Sequence, residues 1–142
     1  MQCKVKQFHR LSLNQLYHIL KLRFAVFVME QKSVYEEFDD FDQKAYHVFL
    51  EKNGKIIAYA RIHRKSPRKA VLSRVAVQKS YRNKGLGNKI IAQCINIIKT
   101  KLKIKTVETS AQDYLKDFMK ILVLGKYPNP MMMEGLRTSI WF

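Results

Sequence analysis

The chain predicts a mixed α/β domain, an α+β arrangement of one mixed sheet and flanking helices in the order β-α-β-β-β-α-β-α. Three observations carry this prediction: a capped apolar-periodic segment near the start, an Asn-Gly turn between two strand-like runs, and a strand–loop–helix passage with glycines at the helix entrance. Length and composition agree. At 142 residues, 47% hydrophobic and 27% charged, the chain has enough apolar side chains for one core and too many for a disordered segment. We read 1–142 as one domain, without internal repeat or linker.

Residues 3–8 (CKVKQF) alternate weakly and predict a short first strand. Ser12 and Gln15 form a capping box, in which the hydroxyl serves a free backbone N–H and the glutamine reaches back. Leu13, Leu16, Tyr17, Leu20, Phe24, Phe27 and Val28 then recur at helical spacing, which extends the helix to about Glu30. Residues 31–44 (QKSVYEEFDDFDQK) hold five of the eleven acidic residues and read as loop or short turns. AYHVFLE and KIIAYARIH flank Asn53-Gly54, the pair that tolerates the positive φ angles of a tight hairpin turn. After a turn at Ser66-Pro67, KAVLSRVAV (69–77) is the next strand. A helix follows with Ile90, Ile91, Cys94, Ile97, Ile98 and Leu102 on one face. TVETS then predicts a fifth strand and YLKDF the start of another helix.

Cys3 and Cys94 stand far apart, without metal-ligand spacing, which points to a reducing compartment and no metal. The first residues lack an apolar leader and no run approaches the roughly 18 apolar residues of a membrane span. A cytoplasmic address is the expectation. The net charge of +16 is spread over runs such as KNGK, RKSPRK and KTKLKIK without interleaved aromatics. It reads as a lysine-rich solvated surface and not as a nucleic-acid reading element. A homodimer is one assembly open to the chain.

The most informative segment is LSRVAVQKSYRNKGLGNKI, residues 72–90. A strand ends near Val77, the chain turns, and a helix begins within 85–88, so unpaired backbone N–H groups and the positive end of a helix dipole converge. Gly85 and Gly87 leave room for an anion, and Arg82 and Lys84 add charge at the rim. Neither the GxxxxGK[ST] nor the GxGxxG phosphate loop is present.

RxxGxG after a V-x-V strand resembles motif A of the GNAT superfamily of acyl-CoA N-acyltransferases. LYHILKLRFAVFVMEQ, then Tyr35, Asp39, Asp42 and His47, then IAYARI, LSRVAV and TSAQDYLKDF follow the order of its ElaA-type branch over about residues 12–118. The resemblance implies the GNAT fold, acetyl-CoA as cosubstrate, and a small-molecule or peptide amine as acceptor. It implies that the strand backbone at Arg74, Val75, Ala76 and Val77 meets the pantetheine arm. The pyrophosphate falls to Arg82, Asn83, Lys84, Gly85, Leu86, Gly87 and Asn88, with Gln112 and Tyr114 beside the cofactor groove. A looser likeness, through R-x3-F and the acidic loop, connects the chain with acyl-homoserine-lactone synthases; their early-loop tryptophan has no counterpart, since Trp141 stands alone.

In the family reaction an amine attacks the thioester carbonyl, which a backbone N–H near Val75 would polarise. Glu30, Glu37 and Asp39 are the candidate acids and bases, with Asp42 in the same loop. His47 reads as a packed strand residue and Arg23 as a partner of one of these acids. The tyrosine that would protonate the leaving thiolate falls where this chain has Met119.

After Phe118 the resemblance ends, and the final GNAT strands are expected to be altered or incomplete. Met131, Met132, Met133 and Glu134 must be encoded ATGATGATGGA plus one base, because methionine has a single codon. Read from the third base of each codon, this gives Asp-Asp-Gly, and the remaining degenerate positions permit the family's terminal pattern without a gap. A frameshift near codons 118–119 is the expectation. The readings are a transferase impaired by its tail, a non-catalytic cofactor-binding remnant and, through the looser likeness, an autoinducer-synthase-like acyltransferase.

Overall fold

The computed structural model describes residues 2–32 and 36–109. The helix expected at YLKDF, the tail from residue 119, and Gln112, Tyr114 and Met119 lie outside the described residues. Among the described residues five strands form one sheet in the order β1-β2-β3-β4-β5: β1 Cys3–Gln7, β2 Tyr46–Lys52, β3 Lys55–Ser66, β4 Lys69–Val77 and β5 Thr106–Thr109. The first three pairings are antiparallel and the last is parallel. A parallel neighbour requires a crossover, and the helix α2, Leu86–Ile97, supplies it. The mixed sheet and its flanking helices match the expected fold class.

The helix α1, Leu13–Arg23, starts at the expected capping box: Ser12 Oγ accepts from the Gln15 N–H, and Gln15 Oε1 accepts from the Ser12 N–H, both at 3.0 Å. Past Arg23 the chain continues in wider π-type turns over Phe24–Glu30, and past Ile97 over Ile98–Leu102. The apolar period alone does not reveal this widening. Asn53 and Gly54 have φ of 53° and 75°, the double left-handed geometry that the hairpin demands. β3 runs to Ser66, three residues past the expected His63, because Ser66 still pairs with Lys69.

Each sheet face has its own core. On one, Ile90, Ile91, Cys94 and Ile98 of the α2 segment meet Val48, Leu50, Ala60, Ile62 and Leu72. The isoleucines among them are fully buried, each stabilising the fold by about 1.5–3 kcal/mol. On the other, Ile19, Leu22, Val26 and Phe27 cover Phe49, Tyr59 and Ala76. That second face also carries the polar residues of interest, because the register sets His47 opposite Arg61 and Phe49 opposite Tyr59.

Candidate active site

β4 is interrupted where the site begins. Tyr59 pairs with Ala76 and Arg61 with Ser73, so Arg74 and Val75 together oppose the single residue Ala60. This is a β-bulge, and Arg74 takes the left-handed conformation, φ 56°, that non-glycine residues seldom adopt. The Gln78 N–H donates to the Ile57 carbonyl at 2.8 Å, so the backbone groups of Val77, one step from it, face away from β3. Arg82 Nε confirms the direction by donating to the Val77 carbonyl at 3.0 Å. Among the described residues β5 pairs with β4 only along Lys69–Leu72.

From Val77 the chain passes through a short 3-10 turn, Lys79–Tyr81, into α2. Asn83 and Gly85 are both left-handed, with φ of 64° and 76°. A Cβ on Gly85 would meet no protein atom within 4 Å, so the backbone conformation, and not crowding by protein, demands glycine there. Asn83, Lys84 and Gly85 are exposed at the rim, while Gly87 is buried inside the first turn. The Arg82 side chain does not extend into this rim. Its Nη1 and Nη2 donate to Glu30 Oε2 and Oε1, each at 2.8 Å, tying the end of the first helical segment to the loop. Side-chain pairing across 52 residues gives no local signal in the sequence.

The acidic loop also differs from its expected form. Glu37, Asp39 and Asp42 point inward onto three arginines. Arg23 donates to Glu37 Oε1 at 2.6 Å and to Asp42 Oδ1 at 2.8 Å. Arg61 holds both oxygens of Asp39, at 2.8 and 2.7 Å, and reaches the same Asp42 oxygen at 3.0 Å. Arg74 adds Glu37 at 3.0 Å, Asp39 at 3.3 Å and the Glu36 carbonyl at 3.1 Å. Arg23 and Arg61 are both 1% exposed, so each guanidinium depends on these partners. The pairing of Arg23 with an acid is as expected. The extent of the network is not.

Burial raises the Asp39 carboxyl, but the hydrogen bonds from Arg61 and the Phe41 amide outweigh it and hold the pKa down at about 2. Asp42 is likewise held low against its burial by Arg23 and Arg61. His47 is fully buried; its Nδ1 lies 2.7 Å from Tyr59 Oη and its Nε2 2.9 Å from the Asp42 carbonyl. Burial holds its pKa down, so the ring is neutral and packed. His63 stacks on Phe41 with ring centroids 4.3 Å apart. Nothing in the sequence links these two rings.

These shifts fix an acid dependence. A depressed folded pKa stabilises the fold above the unfolded value and loses that contribution as pH falls. His47 therefore ceases to contribute progressively below its ordinary 6.5, and Asp39 between its ordinary 3.8 and about 2. Urea midpoints measured from pH 8 to pH 2 are expected to decline in two stages, the second below about pH 4. A midpoint that stays level to pH 3 would contradict this account.

The bulged strand running into a glycine-entered helix coincides with a match to the acetyltransferase (GNAT) family over residues 13–119. This chain belongs to the GNAT family. Relatives support the assignment: a UPF0039 protein of Schizosaccharomyces pombe is 33% identical over 133 residues, covering 92% of this chain and 89% of that protein. Protein ElaA of Escherichia coli is 33% identical over 112 residues, covering 76% and 73%. The crystal structure of Escherichia coli ElaA superposes with a TM-score of 0.75 at 32% identity, covering 83% of each chain. An acyl-CoA N-acyltransferase from Pseudomonas aeruginosa gives 0.74 at 30% identity, covering 89% and 86%. The GNAT fold and the ElaA-type likeness are thus established for this chain. Among the described residues no helix is long and apolar enough to cross a membrane, and no group of three His, Cys, Asp or Glu forms a metal site.

Proposed function

We propose that this GNAT protein transfers an acetyl group from acetyl-CoA to a cationic amine. The observation that carries the proposal is the bulge at Arg74 and Val75, which breaks the regular β3–β4 ladder on the strand that leads to the left-handed entrance of α2. In this reading Val75 polarises the thioester carbonyl. The 83–88 backbone and Lys84 hold the pyrophosphate, with Arg82 positioning the loop through Glu30. The neutral amine attacks the carbonyl carbon, the C–N bond forms as the C–S bond breaks, and the thiolate takes a proton.

Glu30, Glu37 and Asp39 suit the walls of the site better than the role of base, since each is committed to arginine. Among the described residues Glu36 and Asp40 form no ion pair, and they stand exposed on either side of the exposed Phe38. That edge of the acidic loop suits a cationic acceptor with an apolar portion. Deprotonation then falls to water at the site.

Methionine at 119 favours a second reading, a protein that binds the cofactor without turning over, because a thioether supplies no proton to the thiolate. Titration calorimetry with acetyl-CoA, followed by thiol release in the presence of a panel of amines, separates the two. Binding with amine-dependent thiol release supports the transferase, and binding alone supports the remnant. Absence of binding removes both. Reading the encoding nucleotides tests the frameshift near codons 118–119, which fails if the shifted frame soon meets a stop codon.

A further inference from the structure

The positive surplus is concentrated and not evenly spread. No aspartate or glutamate stands between Glu51 and Glu108. Within that stretch the fold gathers two separate basic runs at one end of the sheet. The β3–β4 turn contributes Arg64, Lys65 and Arg68, and the exit from α2 contributes Lys101, Lys103 and Lys105, all of them exposed. Two contacts bring the runs together: Arg64 Nη2 donates to the Leu102 carbonyl at 3.2 Å, and Lys69, beside the turn, pairs across the sheet with Thr106. The acid that meets the cluster is Glu108, shared by Lys65 at 3.0 Å and Lys69 at 3.7 Å. β4 separates this end from the proposed cofactor loop by eight steps, about 26 Å at ~3.3 Å each. The patch is therefore distinct from the candidate active site.

We infer that this basic end of the sheet binds the phosphate backbone of double-stranded nucleic acid without reading its sequence. The chemistry of the patch selects that partner. Its two runs contain no aromatic residue, so it offers no stacking platform for the bases of a single strand. Among the described residues the large exposed apolar side chains, such as Leu13, Tyr17, Phe24 and Phe38, all lie between residues 13 and 41, in α1, the π-type segment after it and the acidic loop. A surface made to sit in a bilayer interface combines cations with inserted apolar groups, and here the two are segregated. Clustered cations without either element match contacts to closely spaced phosphates, which gain by releasing condensed counterions.

The test is binding of the full chain to a fluorescent 20-base-pair duplex at 50 and 200 mM salt. With about five phosphates engaged, affinity is expected to fall by about 500-fold between the two. The triple variant Lys101→Gln, Lys103→Asn, Lys105→Gln removes three contacts and is expected to reduce the log–log salt slope by about 2.7. Asparagine is chosen at 103 because that backbone is left-handed, φ 55°. A matched variant, Lys21→Gln, Lys44→Gln, Lys55→Gln, removes the same charge elsewhere and is expected to keep the parent slope. Equal loss in both variants would assign binding to total charge and overturn the inference. So would absence of duplex binding, or binding only to vesicles containing anionic phospholipid. Unchanged acetyl-CoA binding in both variants separates this outcome from any failure of the proposed cofactor site.

Discussion

Replacing Arg61 with methionine is expected to lower the stability of the fold by about 3–5 kcal/mol, read as a fall in the urea midpoint at pH 7. The side chain is 1% exposed and supplies the two shortest hydrogen bonds to the Asp39 oxygens, one to Asp42 and one to Ser73 Oγ. Methionine is long enough to refill much of the space, so the main loss is electrostatic. It leaves Asp39 with Arg74 and the Phe41 amide and Asp42 with Arg23, too little to offset the burial that already disfavours both carboxylates. This gives the prediction a pH signature. In the variant those carboxylates take up protons more readily, so the gap from the parent narrows as pH falls through about 4. A gap that stays constant with pH would make Arg61 a packing residue and would remove the electrostatic reading of the network.

Valine at position 85 is expected to weaken acetyl-CoA binding by at least about tenfold. A β-branched residue held at φ 76° loses about 1–2 kcal/mol or more, and about 1.4 kcal/mol corresponds to a factor of ten in affinity. Since a Cβ there meets no protein atom, the strain can relax only by rebuilding the helix entrance and turning its N–H groups. Asparagine, which tolerates the left-handed region, is expected to retain most of the affinity. Calorimetric titration of the two variants decides the point. Equal affinity in Gly85→Val and the parent would show that the α2 entrance does not hold the cofactor.

How much of this was legible in the sequence depended on how local each signal is. The Ser12/Gln15 box, the Asn53-Gly54 turn and the strand at 69–77 each announce themselves within a few residues, and all three appear as expected. The approach to α2 through Gly85 is local in the same way. The ion-pair network is not. Arg23 reaches Asp42 across 19 residues, Arg61 reaches Asp39 across 22, and Arg74 reaches Glu36 across 38. Arg61 sits in IAYARIH, where alternation predicts a strand but gives no hint of what its cation faces. The bulge was hidden for another reason. Bulges are easiest to suspect where glycine interrupts a strand, and here an arginine adopts the unfavourable angle. Its compensation comes from tertiary contacts that no short window contains.

Arg74 gives the site an unusual mechanical economy. Its backbone makes the kink that redirects β4, and its side chain grips the loop at Glu36, Glu37 and Asp39. The loop is therefore not a flap hinged independently of the sheet. To swing outward it must break several contacts of one residue together, and that residue's φ angle is part of the strand's own geometry. Movement of the loop and the geometry of β4 are, in consequence, two readings of a single joint.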